Sequence, residues 1–201
     1  MTTQRKDGSQ APERAQPPVG VNHVVLTVRD LEKSHTFWTE IMGFRQVAEL
    51  RPESGLPLKM RFYSGLHDGE VTHHDLALLE LPGGGPPGTE PEPWNLVPQK
   101  LGLHHMAITW PDRESWLKQI AFLQSKGVEF HLRINHGMSH SAYVPDPNGY
   151  LIEVLYELPR EIWRGDIEAA QNYAQLLPTE GEEALVDRTD NPTFGSPRPA
   201  S

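Results

Sequence analysis

The chain of 201 residues contains no cysteine, which excludes disulfides, a thiolate nucleophile and any cysteine-held zinc or iron–sulfur site. No apolar run approaches the ~18 residues needed to cross a bilayer as a helix. The first twenty residues hold no apolar stretch of the secretory type, so a cytoplasmic protein is expected. Basic residues are also scarce. With 18 Lys+Arg against 27 Asp+Glu, the net charge of −9 argues against a nucleic-acid or anionic-membrane partner. From Gly165 onward seven acids face two arginines, so much of the acidity belongs to the C-terminal segment. Histidine, by contrast, is abundant: ten imidazoles carry whatever metal or proton chemistry the chain performs.

Residues 1–19 are polar, Pro-rich and without periodicity, and read as a disordered arm. Residues 82–99, rich in Pro and Gly, read as a linker between blocks 20–81 and 100–158. The triple glycine at 83–85 lacks the strand and helix that frame a phosphate loop. Beyond them, 159–201 is an acidic segment with helical spacing near 166–177 and a flexible tail from 178.

The two blocks repeat one another. VNHVVLTVRD (21–30) matches LHHMAITWPD (103–112), which sets His23 opposite His105. Both alternate like half-buried strands, and each runs into a helix capped by Asp30 or Asp112. Leu31, Phe37, Trp38 and Ile41 form one apolar stripe; Trp116, Ile120 and Leu123 form the other. The helices are expected to stop at Gly43 and Gly127, 20 and 22 residues past the strand histidine. Three strands should follow in each block: 44–51, 59–65 and 71–81, then 128–134, 141–145 and 150–158. Matching the endings LELP and YELP sets Leu76 opposite Glu153. The expected fold is α+β: two tandem βαβββ modules related by a pseudo-twofold around a shared cavity.

In that plan His23 and His105 are symmetry mates, and Glu153 is an acid on an otherwise apolar strand. A lone strand histidine is ordinarily core or surface, but a buried carboxylate needs a partner. Two imidazoles and one carboxylate suit a divalent ion such as Fe(II) and leave coordination positions open.

The segment 134–153, with His136, Tyr143, Asp146, Pro147, Gly149 and Glu153 in register, resembles the signature of the type I extradiol ring-cleavage dioxygenases of the vicinal oxygen chelate superfamily. Ala142 departs from it, standing where a larger apolar residue is usual. The resemblance covers residues 20–158 and implies a one-domain, glyoxalase/dihydroxybiphenyl dioxygenase-like fold. It further implies Fe(II), with Mn(II) as an alternative, held by His23, His105 and Glu153. The substrates would be O2 and a small aromatic diol, mono- or bicyclic, opened during the breakdown of aromatic compounds. The second histidine of the doublet His73–His74 falls where the family carries its active-site histidine, and strand parity turns it inward with Leu76. His74 would then be the proton carrier, with Tyr143 and His136 as hydrogen-bonding groups beside the substrate. His140 is the rival for His136's place. Glyoxalase I-like relatives use a fourth ligand, an acid mirroring Glu153, and Leu76 leaves that place empty of one; Glu80 is taken as a surface residue. His104 is expected on the face opposite His105; His35, His67 and His131 in solvent; Trp94 and Trp163 in the core or at an entrance. Alternatives within the superfamily are a metal-dependent thiol transferase or lyase, of the fosfomycin-resistance or glyoxalase kind, and a metal-free bleomycin-resistance-type binder. Homo-oligomers are common in the superfamily and expected here.

Overall fold

The structure is a computed structural model that describes residues 18, 20–86, 97, 102–187 and 190–195. The N-terminal arm, most of the linker and Trp94 therefore lie outside the described residues. No helix among the described residues is long and apolar enough to cross a membrane.

The first module runs β1 (Val24–Val28), α1 (Leu31–Thr36, continued by a wider π-turn through Phe37–Ile41), β2 (Arg45–Glu49), β3 (Met60–Ser64) and β4 (Leu76–Glu80). The second runs β5 (Met106–Thr109), α2 (Arg113–Ser125), β6 (Leu132–Asn135), β7 (Ser139–Pro145) and β8 (Leu151–Glu157). The strand orders are β1-β4-β3-β2 and β5-β8-β7-β6, so the repeat read from the sequence is a repeat of topology. In each sheet the first strand pairs parallel with the last; the remaining pairs are antiparallel.

Both helix starts follow from local chemistry. Asp30 accepts a hydrogen bond from the Lys33 amide, and Asp112 accepts one from Ser115. Both exits pass through left-handed glycines, Gly43 at φ +79° and Gly127 at φ +72°. Trp38 and Trp116, both fully buried, meet in one core with Leu26, Leu78, Ile120 and Val154. The two modules thus share the apolar layer on the helix side of their sheets. Polar groups tie them further. The Asn148 side chain accepts from the Arg29 amide and donates to Ser34 Oγ, and Tyr150 donates to the Thr27 carbonyl.

Three expectations are corrected here. The strands are shorter than the apolar runs, so His23, His74 and His105 each sit just before a strand and not within it. Pairing of Val24 with Leu76 and of Met106 with Ile152 makes Leu76 the counterpart of Ile152, and both face the core. Ala77, not Leu76, mirrors Glu153; ladder hydrogen bonds set the register, and a one-residue slip exchanges the faces.

The third correction concerns the C-terminal segment. The helix expected near 166–177 is confined to α4 (Ile167–Gln171), preceded by the short α3 (Arg160–Trp163) and followed by β9 (Gln175–Leu176) on the edge of β6. The described part of the tail is not loose. Asp187, with no exposed side-chain surface, bonds to Arg113, Tyr156 and His140 at 2.5–2.8 Å. The fully buried Arg133 donates to the Pro178 carbonyl and stacks on Trp116. A carboxylate invisible as an anchor in an acidic run thus pins the described part of this segment against Arg113, His140 and Tyr156.

Burial pushes the Asp187 carboxyl up, but the hydrogen bonds from His140 and Tyr156 outweigh it and hold the group below its ordinary value of 3.8. Its contribution is complete above that value and is lost as pH falls through the lowered folded-state value. Asp187→Asn should cost about 3 kcal/mol in urea unfolding at pH 7, because Arg113 and His140 lose their anionic partner. The difference from the parent should shrink in acid.

Candidate metal-binding site

Alternation along β8 turns Ile152, Val154 and Tyr156 into the shared core, and turns Leu151, Glu153 and Leu155 to the opposite face. Whereas Glu157 at the strand end is exposed, Glu153 is the buried charged residue on that face, 6% exposed. Its Oε2 lies 3.1 Å from His105 Nε2, and its Oε1 lies 3.9 Å from His136 Nε2. Tyr143 pairs directly with Glu153 across β7 and β8, and its hydroxyl lies 2.9 Å from His136 Nε2. His105, His136, Met138, Ser139, Tyr143, Glu153 and Gln171 line a hollow of about 330 Å³. Wider clefts of about 790 and 620 Å³ elsewhere line no histidine.

The first module gathers a second group. The parallel pairing begins with the Val24 amide donating to the Asp75 carbonyl, which sets the residues before β1 and β4 side by side. His23 and His74 accordingly stand with ring centroids 4.3 Å apart, and His73 lies 4.7 Å from His74. Asp75 fixes the loop behind them by accepting from the Gly65 amide and pairing with His67. Burial, then the neighbouring imidazoles of His23 and His73, holds His74 below the ordinary histidine range, so it is neutral near pH 7.

Burial also lowers His136, and burial together with the Glu153 carboxylate pushes Tyr143 well above the ordinary phenol range. Tyr143 therefore remains a hydroxyl donor at any physiological pH.

Of the sequence candidates, the structure brings His105, Glu153, His136 and Tyr143 together, and His23 and His74 together. Among the described residues no three His, Asp or Glu side chains stand close enough to hold one ion. The donor chemistry nevertheless suits a divalent metal: a buried carboxylate facing an imidazole nitrogen, with a second strand-entry imidazole in the mirror position.

His140 lies away from this hollow. It is buried against Asp187 and Asn191 on the helix side of the sheet. His67 and His35 are not merely solvated, since His67 pairs with Asp75 and His35 Nδ1 lies 3.2 Å from Tyr63 Oη. Glu80 caps Leu31 and binds Lys59, and Trp163 packs on the core. His104 turns toward His105.

Residues 20–154 match the family described as the glyoxalase/bleomycin resistance protein/dioxygenase superfamily. The chain belongs to this superfamily. A catechol-2,3-dioxygenase of Bacillus subtilis is 27% identical over 172 residues, covering 83% of this chain and 51% of its own. A lactoylglutathione lyase of Schizosaccharomyces pombe is 32% identical over 67% of this chain and 46% of its own. A biphenyl-2,3-diol 1,2-dioxygenase of Rhodococcus globerulus is 34% identical over 82 residues, 41% of this chain and 40% of its own. The superfamily member thus spans about half or less of the length of these curated relatives. A solved glyoxylase/bleomycin resistance protein/dioxygenase domain from Frankia sp. EAN1pec shares the fold, with a TM-score of 0.56 at 22% identity over 71% of this chain and all of that one.

Reasoning from sequence missed Met138, Ser139 and Gln171 as lining residues, and the C-terminal segment as their support. Gly137, between His136 and Met138, adopts φ +77°, and a Cβ there would come within 2.6 Å of the Phe194 ring. Phe194 is itself held by its amide donating to the Ile162 carbonyl. Gly137→Ala should therefore lose on the order of 2 kcal/mol in chemical denaturation. Gly43→Ala, equally left-handed but with open space around it, should lose about half as much.

Proposed function

We propose that this superfamily member is an Fe(II)-dependent extradiol dioxygenase, opening the ring of a catechol or substituted mono- or bicyclic catechol with both atoms of O2. The observation that carries the reading is the pairing of His105 with the buried Glu153 beside Tyr143 and His136, opposite a module whose mirrored position is Ala77. The reading takes His23, His105 and Glu153 as its three ligands, with one carboxylate only. A lyase of the glyoxalase kind would call for a fourth donor, and alanine supplies none.

When bound, the metal would bring the two diol oxygens and O2 together and carry electrons between them. Mn(II) is an alternative to Fe(II) for the same donors. The chain's own groups supply the rest. His74, neutral near pH 7, takes a proton from the diol and returns it later. Tyr143 donates its hydroxyl hydrogen to a substrate oxygen, with His136 buttressing the phenol. Met138 and the Tyr143 ring give the hollow its apolar lining, and Ile134 and Leu151 pack behind Tyr143.

The ligand set is divided between two groups, so a first-module face must meet a second-module face to complete it, within the chain or between two copies. The reading therefore includes a homo-oligomer as one way of closing the site.

The test is O2 uptake by the Fe(II)-loaded protein, prepared without air, over a panel of catechols. Uptake with a yellow ring-opened product is expected; no uptake with any catechol overturns the reading. His74→Ala should retain iron and lose turnover by 10²-fold or more, whereas Glu153→Ala should lose both. Mixing unfolded and refolded His23→Ala with Glu153→Ala separates the two closures: activity returns only if the triad forms between copies.

A further inference from the structure

The neighbours of the buried His140 fix where its ring hydrogens lie. The Gly137 amide donates to Asn135 Oδ1 at 2.8 Å, so Asn135 Nδ2 is the donor toward Asn191 Oδ1, 3.1 Å away. That same Asn191 oxygen lies 2.6 Å from His140 Nε2. An amide oxygen only accepts, so Nε2 carries a hydrogen. The other ring nitrogen, Nδ1, lies 2.5 Å from Asp187 Oδ1. Asp187 accepts from Arg113 and the Tyr156 hydroxyl as well, as a carboxylate with no hydrogen of its own, so Nδ1 also donates. A ring that donates from both nitrogens is the imidazolium.

Asp187, Tyr156, Arg113, Arg133 and His136 are the titratable or charged groups that face this position, from the C-terminal segment, β8, α2, β6 and the β6–β7 turn in that order. His140 is 1% exposed, so Asp187 is what makes its charge tolerable there. Asn135 and His140 pair directly across β6 and β7 and share the helix-side face. The contacts therefore form a relay from Asp187 through His140, Asn191 and Asn135 to the Gly137 amide. Gly137 belongs to the turn that carries His136 and Met138 into the hollow, and the Phe194 ring, three residues past Asn191, rests on it.

We propose that His140 is a proton-operated latch: as the imidazolium it holds residues 190–195 against the β6–β7 turn, and on losing a ring hydrogen to solvent it releases them and frees the wall of the hollow at Gly137–Ser139. The hydrogen left on a neutral ring stays with the carboxylate, the stronger acceptor. Nε2 then turns a lone pair to the Asn191 oxygen, and the contact becomes repulsive. Rotating the Asn191 amide does not repair it, since its Nδ2 would meet Asn135 Nδ2. The latch is closed only while Asp187 is ionised and His140 is protonated, so it opens as pH rises. No metal and none of the proposed ligands take part.

Amide hydrogen exchange of the full chain, corrected for the intrinsic pH dependence of exchange, reads the latch at two points. The Gly137 amide reports the relay, and the Phe194 amide, which donates to the Ile162 carbonyl, reports the segment. Between about pH 6 and about pH 9 both should lose protection by about 10-fold or more. The Trp110 amide, bonded to the Leu155 carbonyl, should not change. The ring nitrogen chemical shifts of His140 should pass from imidazolium to neutral over the same interval. His140→Gln, with no proton to lose, should exchange at the parent's high-pH level whatever the pH. Should that variant fail to fold, Asn191→Asp is the second arm: a carboxylate accepts more strongly, so the loss should move to higher pH.

Protection at Gly137 and Phe194 that is unchanged across the interval overturns the proposal, and so does an equal loss in His140→Gln. A ring that is neutral while Gly137 is still protected, or an unmoved transition in Asn191→Asp, overturns it too.

Discussion

The parallel pairing of the first and last strand in each module is the constraint on which the rest of the structure depends. A parallel neighbour requires a crossover, and α1 and α2 supply the start of it, laying Trp38 and Trp116 on one side of each sheet. The other side is thereby left for the site, where Glu153 and Tyr143 stand among apolar neighbours such as Leu151. Because parallel strands start side by side, residues that precede them become neighbours although some fifty residues apart in sequence. His23 meets His74 by this rule, and the same parallel pairing brings His105 within reach of Glu153 inside β8.

The shared core then does for the two modules what neither sheet could do alone. A small four-stranded sheet with one helix buries too little apolar surface to be independently stable, and here the helix-side layers merge. The turn at Asp146 adds a polar bridge. Its carboxylate accepts from the Asn148 and Tyr150 amides, and that fixes Asn148 against Arg29 and Ser34 of the other module. The signature residues between Tyr143 and Glu153 therefore set the β7–β8 register and also join the modules.

Outside the repeat, the C-terminal segment is fastened by buried charge as well as by apolar contacts, with Ala184 inside the shared core and Ile162, Trp163 and Leu185 packed against it. Asp187 is surrounded by an arginine, an imidazole and a phenol, and Arg133 is wrapped by backbone carbonyls of the same segment. Both ions are buried, and each is tolerated because its partners offset the loss of water. This attachment brings Phe194 against Gly137 and Gln171 to the rim of the hollow, so a segment beyond the family's matched residues shapes the site.

The repeat, the helix caps at Asp30 and Asp112, and the candidate side chains could all be read from residue type and spacing, because these are local properties. His136, Tyr143 and Glu153 form a group for the same reason: the signature runs along consecutive antiparallel strands, and alternation turns Tyr143 and Glu153 to a common face, whereas His105 joins them only through the β5–β8 pairing. Register was not legible to one residue. Similar endings suggested Leu76 as the mirror of Glu153, but ladder bonds choose Ala77. The burial of Asp187 and His140 was also hidden, since a carboxylate in an acidic run looks solvated until the cation it meets is known. Sequence by itself determined which donors exist and in which module. Only the tertiary structure decided which of them meet, because meeting depends on strand pairing and on contacts between residues far apart in the chain.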